Sequence, residues 1–140
     1  MIDSFSMSTV FPKYHPRAGE PTGFEEAIFE HKKLHTIRSG NRWMAGDTAR
    51  VFVWIGAPYR SKQRVIIPEL LILRVYDIEI DAPYGAVFIN TVFYGEFNNI
   101  EMRLLAENDG LAVQDFLDWF SPYVPFSGQI ICLGNVDYCC

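Results

Sequence analysis

The sequence predicts an α+β domain, a small mixed β-barrel with flanking helices, on two observations. Through the middle of the chain and again near its end, apolar residues alternate or run in short β-branched and aromatic stretches bounded by turn residues, as strands do. In "IEMRLLAEN" and "LAVQDFLDWF" the apolar positions recur instead at three- and four-residue steps, as on one face of a helix. The resulting order is β-α, several β, α-α, β, with mostly neighbouring strands joined by short turns. An antiparallel or mixed sheet curled toward a barrel is the simplest closure of such an order.

Taken in order, the first helix is expected over residues 23–32. Thr22 followed at the third position by Glu25 has the spacing of a capping box, and Phe24, Ala27 and Ile28 recur at helical intervals. "KLHTIR" alternates Leu34, Thr36 and Arg38 with Lys33, His35 and Ile37, which suits a short strand or extended turn. "ARVFVWIG" is a strand between "AGD" and "GAP". "RVIIPELLILRVYDIEI" carries Pro68, which cannot donate to a ladder, so the run must break, bulge or lie at an edge there; two strand pieces are expected. "GAVFINTVF" is the return arm of a hairpin turning at "DAPYG". The two later helices meet at Asp109-Gly110, and "GQIICLG" closes the chain as a strand.

The chain of 140 residues, 49% apolar and 21% charged, has the composition of one packed domain, 1–140, with no repeat or linker to divide it. No apolar run reaches the 18 or so residues a membrane span needs, and the first residues lack a secretory leader, so a cytoplasmic protein without membrane contact is expected. Cys132 sits in an apolar run and reads as core, while Cys139 and Cys140 read as a frayed end. No Cys or His spacing suits a metal, and no cofactor is expected.

Charge is unevenly spread. Lys plus Arg against Asp plus Glu is 2 to 5 over residues 1–30, 8 to 1 over 31–64 and 2 to 11 over 65–140. The basic middle could serve phosphates, or folding could set the acidic flanks against it and cancel the field. Within it, "HKKLHTIRSGNRW" gathers amines, imidazoles, guanidinium groups and a hydroxyl. His31 and His35 read as surface or packing residues, since no third ligand accompanies them. Asp47 shapes the Gly46-Asp47 turn. Trp43 and Trp54 belong at a core or rim, where one could stack on a base. Arg60, Lys62 and Arg64 form a basic loop.

The spacing Lys33-x-x-Thr36-Ile37-Arg38, the turn at Gly46-Asp47 before a strand, and a helix pair carrying Glu107 and ending "DFLDWF" resemble the ASCH superfamily, whose fold is the β-barrel of PUA-like domains. The resemblance covers roughly residues 22 to 134. It implies an activity, because a bacterial subgroup of that superfamily hydrolyses the acetyl amide of 4-acetylcytidine with a Lys, Thr and Glu triad. Lys33, Thr36 and Glu107 stand at the matching positions. Amide hydrolysis needs a nucleophile, a proton carrier and an oxyanion donor. Thr36 would supply the hydroxyl, Lys33 the base and Glu107 a carboxylate that orients the lysine. Arg38, His35, Trp43, Arg60 and Lys62 are the expected substrate-binding residues, with Arg38 a donor to the oxyanion or the cytosine carbonyl. The chain departs from that subgroup by an added N-terminal strand and loop and a hairpin-like stretch at residues 76–95, which bear on the substrate. The expected partner is therefore a nucleoside-like small molecule. The alternative is RNA, bound or cleaved by a PUA-like module through the basic 31–64 segment. A third possibility is a pocket that binds a small ligand without turning it over.

Overall fold

The computed structural model describes residues 3–96 and 99–138. The final cysteines, Cys139 and Cys140, lie outside the described residues. The elements run β1 (Asp3–Ser6), α1 (Phe24–Phe29), β2 (His35–Ser39), β3 (Thr48–Trp54), β4 (Gln63–Leu71), β5 (Val75–Asp81), β6 (Ala86–Ile89), β7 (Val92–Glu96), α2 (Ile100–Asn108), α3 (Val113–Phe120) and β8 (Phe126–Cys132). The α+β class and the order of elements are those expected.

The strands make two sheets. In the smaller, ordered β1-β3-β4, β1 runs parallel to β3 and β4 antiparallel to it. The larger is antiparallel throughout and ordered β2-β8-β5-β6-β7. Among the described residues no ladder joins the two into a closed ring. Alternation along the central strands explains the layering. Tyr76, Ile78 and Ile80 of β5 and Ile130 and Cys132 of β8 pack with Met102, Leu105, Phe116 and Phe120 of the helices. Ile131, one residue out of phase, packs on the other side with Val51, Val53, Ile66 and Trp43. The larger sheet thus lies between the two later helices and the smaller sheet, and each face buries its own apolar set.

Three boundaries differ from the sequence expectation, each for a local reason. β4 runs straight through Pro68, and the chain leaves the strand only after Leu71. Between the pairs Ala49↔Leu70 and Val51↔Ile67, β4 advances three residues while β3 advances two, so a bulge on an edge strand absorbs the proline. "GAVFINTVF" is two strands, not one. Asn90 (φ 50°) and Thr91 (φ 66°) adopt the left-handed pair of a tight hairpin turn. Helix α1 stops at Phe29, and its N-cap is Gly23 rather than Thr22. Thr22 Oγ1 donates to the Ser8 carbonyl and accepts from the Phe24 amide at 3.3 Å, and Glu25 turns outward to bind Arg64 at 2.6 and 2.7 Å, so the reciprocal Thr22–Glu25 capping box does not form.

β2, at the open edge of the larger sheet, is held against β8 at Gly128. A Cβ there would overlap the carbonyl of Arg38 and press on the Phe126 ring. Gly128→Ala is therefore expected to cost at least about 2 kcal/mol, because the obstacle is backbone that cannot step aside. A urea titration showing an unchanged midpoint would contradict this close contact.

Candidate functional site

The chain leaves α1 through a positive-φ His31 (φ 59°) and is tied back by the amides of Lys32 and Lys33 to the Ala27 carbonyl. Leu34 N–H then bonds the Asn108 carbonyl at 2.7 Å, which sets the start of β2 beside the α2–α3 turn. This local path buries Lys33. Its side chain is 2% exposed, and its Nζ donates to the Asp109 backbone carbonyl at 2.6 Å and to Asp109 Oδ1 at 3.2 Å. The ammonium also lies 4.1 Å from the centre of the Phe24 ring. Gly110, at φ +86°, makes the turn that aims Asp109 inward.

Asp109 Oδ1 has a second partner, His35 Nδ1 at 3.3 Å, and His35 Nε2 meets the Tyr138 hydroxyl at 2.5 Å. Asn108 Nδ2 donates to that same hydroxyl at 3.2 Å. His35 is fully buried, and burial is the main cause holding its pKa below the ordinary imidazole value. Burial also pushes Lys33 below the usual amine range, with Arg38 adding to the effect. Asp109 opposes this, but one carboxylate oxygen shared with His35 offsets only part of the loss of water. Tyr138, desolvated in the same way, is raised well above an ordinary phenol.

Because β2 is an edge strand, consecutive residues of it reach one opening. Lys33, Thr36, Arg38 and Asp109, walled by Phe24 and Trp119, line a cleft of about 110 Å³. Thr36 is buried, and its hydroxyl makes no hydrogen bond within the described residues. Arg38 bonds the Ser6 carbonyl through Nη2 and lies 5.2 Å from the Phe5 ring, while its buried Nε–H has no partner among the described residues. An unpartnered buried donor is costly unless something else occupies it. A larger groove of about 650 Å³ on the face of β5, β6 and β8 shares none of these groups. It offers the carboxylates of Asp77 and Glu79 and the hydroxyls of Thr91 and Ser127, with no amine or guanidinium among its lining residues.

Of the residues the sequence singled out, the structure brings Lys33, Thr36 and Arg38 together at this cleft. His35 stands behind it, in the buried network and not on its wall. Glu107 is on the exposed face of α2, whose buried residues are Met102, Leu105 and Ala106, and the carboxylate at the lysine is Asp109, two positions on. Trp43 is buried in the smaller core, edge-on to Phe5 at 5.4 Å, with its backbone clasped by the Gln129 amide. Arg60 and Lys62 are exposed on the β3–β4 connection, away from the cleft. Asp109 and Tyr138 were missed. The Asp-Gly pair carries the signature of a turn, which hid the aspartate's inward role, and nothing near Tyr138 marks it.

Among the described residues no group of three or more His, Cys, Asp and Glu is placed to hold a metal ion, and no helix is long and apolar enough to cross a membrane. Compared with protein-family models, curated proteins and solved structures, the chain matches none.

His35 gives the site a pH signature. Its folded pKa lies below the unfolded value of about 6.5, so the unfolded chain binds the extra proton between the two. Stability should therefore fall as pH drops below about 6.5, before most carboxylates titrate. Denaturant midpoints of the wild type and of His35→Asn between pH 7.5 and 5.5 check this: the variant should show the flatter slope, and parallel slopes would exclude His35 as the source.

Proposed function

We propose that the chain is a small amidohydrolase acting on an acylated pyrimidine nucleoside of the 4-acetylcytidine type, with Lys33 as base, Thr36 as nucleophile and Asp109 in the place expected of Glu107. The observation that carries this reading is the meeting of a buried amine, an unengaged hydroxyl and an unengaged guanidinium N–H in one cleft. The Lys33-x-x-Thr36-Ile37-Arg38 spacing and the α+β order support the likeness to the ASCH superfamily, and we take its PUA-like barrel as the parent of this two-sheet arrangement.

In this mechanism Thr36 Oγ attacks the acyl carbon and gives its proton to Lys33 Nζ. The Arg38 Nε–H receives the oxyanion that develops on the former carbonyl oxygen. The C–N bond then breaks, and Lys33 returns the proton to the departing nitrogen. A water then attacks the acyl carbon and gives its proton to the same amine, the bond from that carbon to Thr36 Oγ breaks, and Lys33 returns the proton to Oγ as the acid leaves. Burial lowers the Lys33 pKa, the direction a lysine base requires. A cleft of about 110 Å³ admits the acyl amide and not the whole nucleoside, whose body would lie in the adjoining groove of about 300 Å³ that shares Ser8 and Phe24 with it.

Incubation with 4-acetylcytidine should release cytidine. Lys33→Ala and Thr36→Ala should each lower turnover by about 10²-fold or more, and Asp109→Asn should lower it at least about tenfold further than Glu107→Gln. No conversion of any acylated pyrimidine by the wild type would remove the reading.

One observation favours RNA binding as a second reading. Tyr59 is 87% exposed, held at a positive φ of 64° and set 5.3 Å from Trp54, beside Arg60 and Lys62. An aromatic displayed in this way next to cations suits a base stacked on an unpaired strand. Single-stranded RNA would then bind with an affinity that falls steeply with salt, and Arg60→Ala/Lys62→Ala should flatten the slope by about 1–2. Titration by fluorescence anisotropy that finds no salt dependence would set this reading aside.

A further inference from the structure

The hydrolase reading uses Lys33, Thr36, Arg38 and Asp109 and leaves unexplained three polar groups behind them, the buried His35 and Tyr138 and the half-buried Asn108. They form one chain of hydrogen bonds that ends on the carboxylate of Asp109. The direction is set from the Asp109 end: a carboxylate oxygen can only accept, so His35 Nδ1 donates to it, and in the neutral ring Nε2 is then the acceptor of the Tyr138 hydroxyl, whose oxygen accepts from Asn108 Nδ2. A ring nitrogen that accepts must be unprotonated, so the proton of the neutral imidazole sits on Nδ1 and points at Asp109 Oδ1. That same oxygen is one of the two acceptors of the Lys33 amine.

We propose that His35, locked in this tautomer between Asp109 and Tyr138, is a positioning residue that takes up part of the Asp109 carboxylate and so keeps Lys33 available as a base. This rests on the hydrolase reading for its use in catalysis, but the tautomer and its effect on the lysine do not. A carboxylate whose charge is shared with a neutral N–H donor attracts an ammonium less than one facing the ammonium alone. Without the imidazole, Asp109 would answer only to Lys33, and the amine would hold its proton to higher pH. The charged and titratable groups facing this network are few. Lys33 meets Asp109, His35 and Arg38; His35 meets Asp109, Lys33 and Tyr138; Tyr138 meets Tyr76, Tyr94, Cys132 and Asp109. Arg38 already disfavours the charge on Lys33, so a fully engaged Asp109 would be the one strong opposing influence among these groups.

The test reads the two buried groups directly. In ¹⁵N spectra of the 140-residue chain, His35 Nε2 should appear as an unprotonated nitrogen and Nδ1 as a protonated one from about pH 8 down to about pH 6. An Nε2–H tautomer or an imidazolium in that range would overturn the proposal. The titration of Lys33 is followed through its ¹³Cε signal, assigned by its loss in Lys33→Arg. His35→Leu, which has no donor for Asp109, should move the midpoint up by about one unit or more. His35→Asn, whose amide can reach the place of Nδ1, should leave it within about half a unit. Should His35→Leu fail to fold, His35→Gln replaces it, since its longer amide reaches toward Tyr138 and past Asp109. Equal midpoints in the donor and non-donor variants would mean that His35 only fills space. If the wild type turns over 4-acetylcytidine, the rising limb of its kcat profile should follow the same shift with KM little changed. A protein that shows the tautomer and the shift but no turnover would keep this network and lose the hydrolase.

Discussion

The structure depends on one buried carboxylate. Asp109 sits in the interior with its side chain 7% exposed, and a carboxylate there is tolerated only when its oxygens and its charge are answered. Lys33 answers the charge and His35 adds a second donor. These residues come from the α2–α3 turn and from the start of β2, and Tyr138 brings the last described residue to the same point. Three regions distant in sequence are thus fixed to one another by polar contacts that have no equivalent alternative partners. Apolar packing drives the layers together, but it is indifferent to small slips between them. The network is not, because any slip would leave a buried charge unpaired.

This explains how the fold places a cleft at a sheet edge without exposing the edge to aggregation. β2 pairs with β8 on one side only, and its other side would be a free ladder. Arg38 crosses to the Ser6 carbonyl of β1, and Lys33 and Asp109 close the near end, so the opening that remains is narrow and polar. The side chains of Thr36 and Arg38, which fall on the face toward the smaller sheet, and those of Lys33 and Asp109 beside the helices, meet there because an edge strand can be reached from both faces.

Much of the architecture was legible because it is written in periodicity. The strands flanking Val51–Trp54 and Ile130–Cys132 and the two later helices follow patterns of two and of three to four residues, and they formed where those patterns lie. What periodicity could not show was local competition. A break, a bulge or an edge was expected at Pro68, and the choice among them, a bulge on an edge strand, is made by the sheet order and not by the residues nearby. The capping box failed at Glu25, whose side chain is claimed by Arg64 from another segment, while Thr22 Oγ1 accepts from the Phe24 amide and donates to the Ser8 carbonyl. At the site, Lys33, Thr36 and Arg38 were legible since their spacing is local. The carboxylate was not: α2 turns Glu107 outward, and the choice between it and Asp109 is made by the helix end and the turn at Gly110.

The fate of the basic middle segment follows from the same geometry. Folding sets acidic flanks against half of it: Lys32 faces Glu30, Lys33 faces Asp109, Arg42 faces Asp3 and Arg64 faces Glu25. Arg38 spends its guanidinium on a carbonyl and an aromatic ring. Apart from Arg38, only Arg50, Arg60 and Lys62 are left without an acidic partner among the described residues, and these three lie on the smaller sheet and its β3–β4 connection. The field that the sequence suggested as a broad phosphate surface is therefore reduced to a small exposed patch beside Tyr59. The exposed ion pairs contribute little to stability, since solvent screens them. The exception is Lys33, whose pair is buried, and there the charge count of the segment turns into chemistry: loss of water and the nearby Arg38 draw its proton off, while the shared Asp109 carboxylate holds it back only in part.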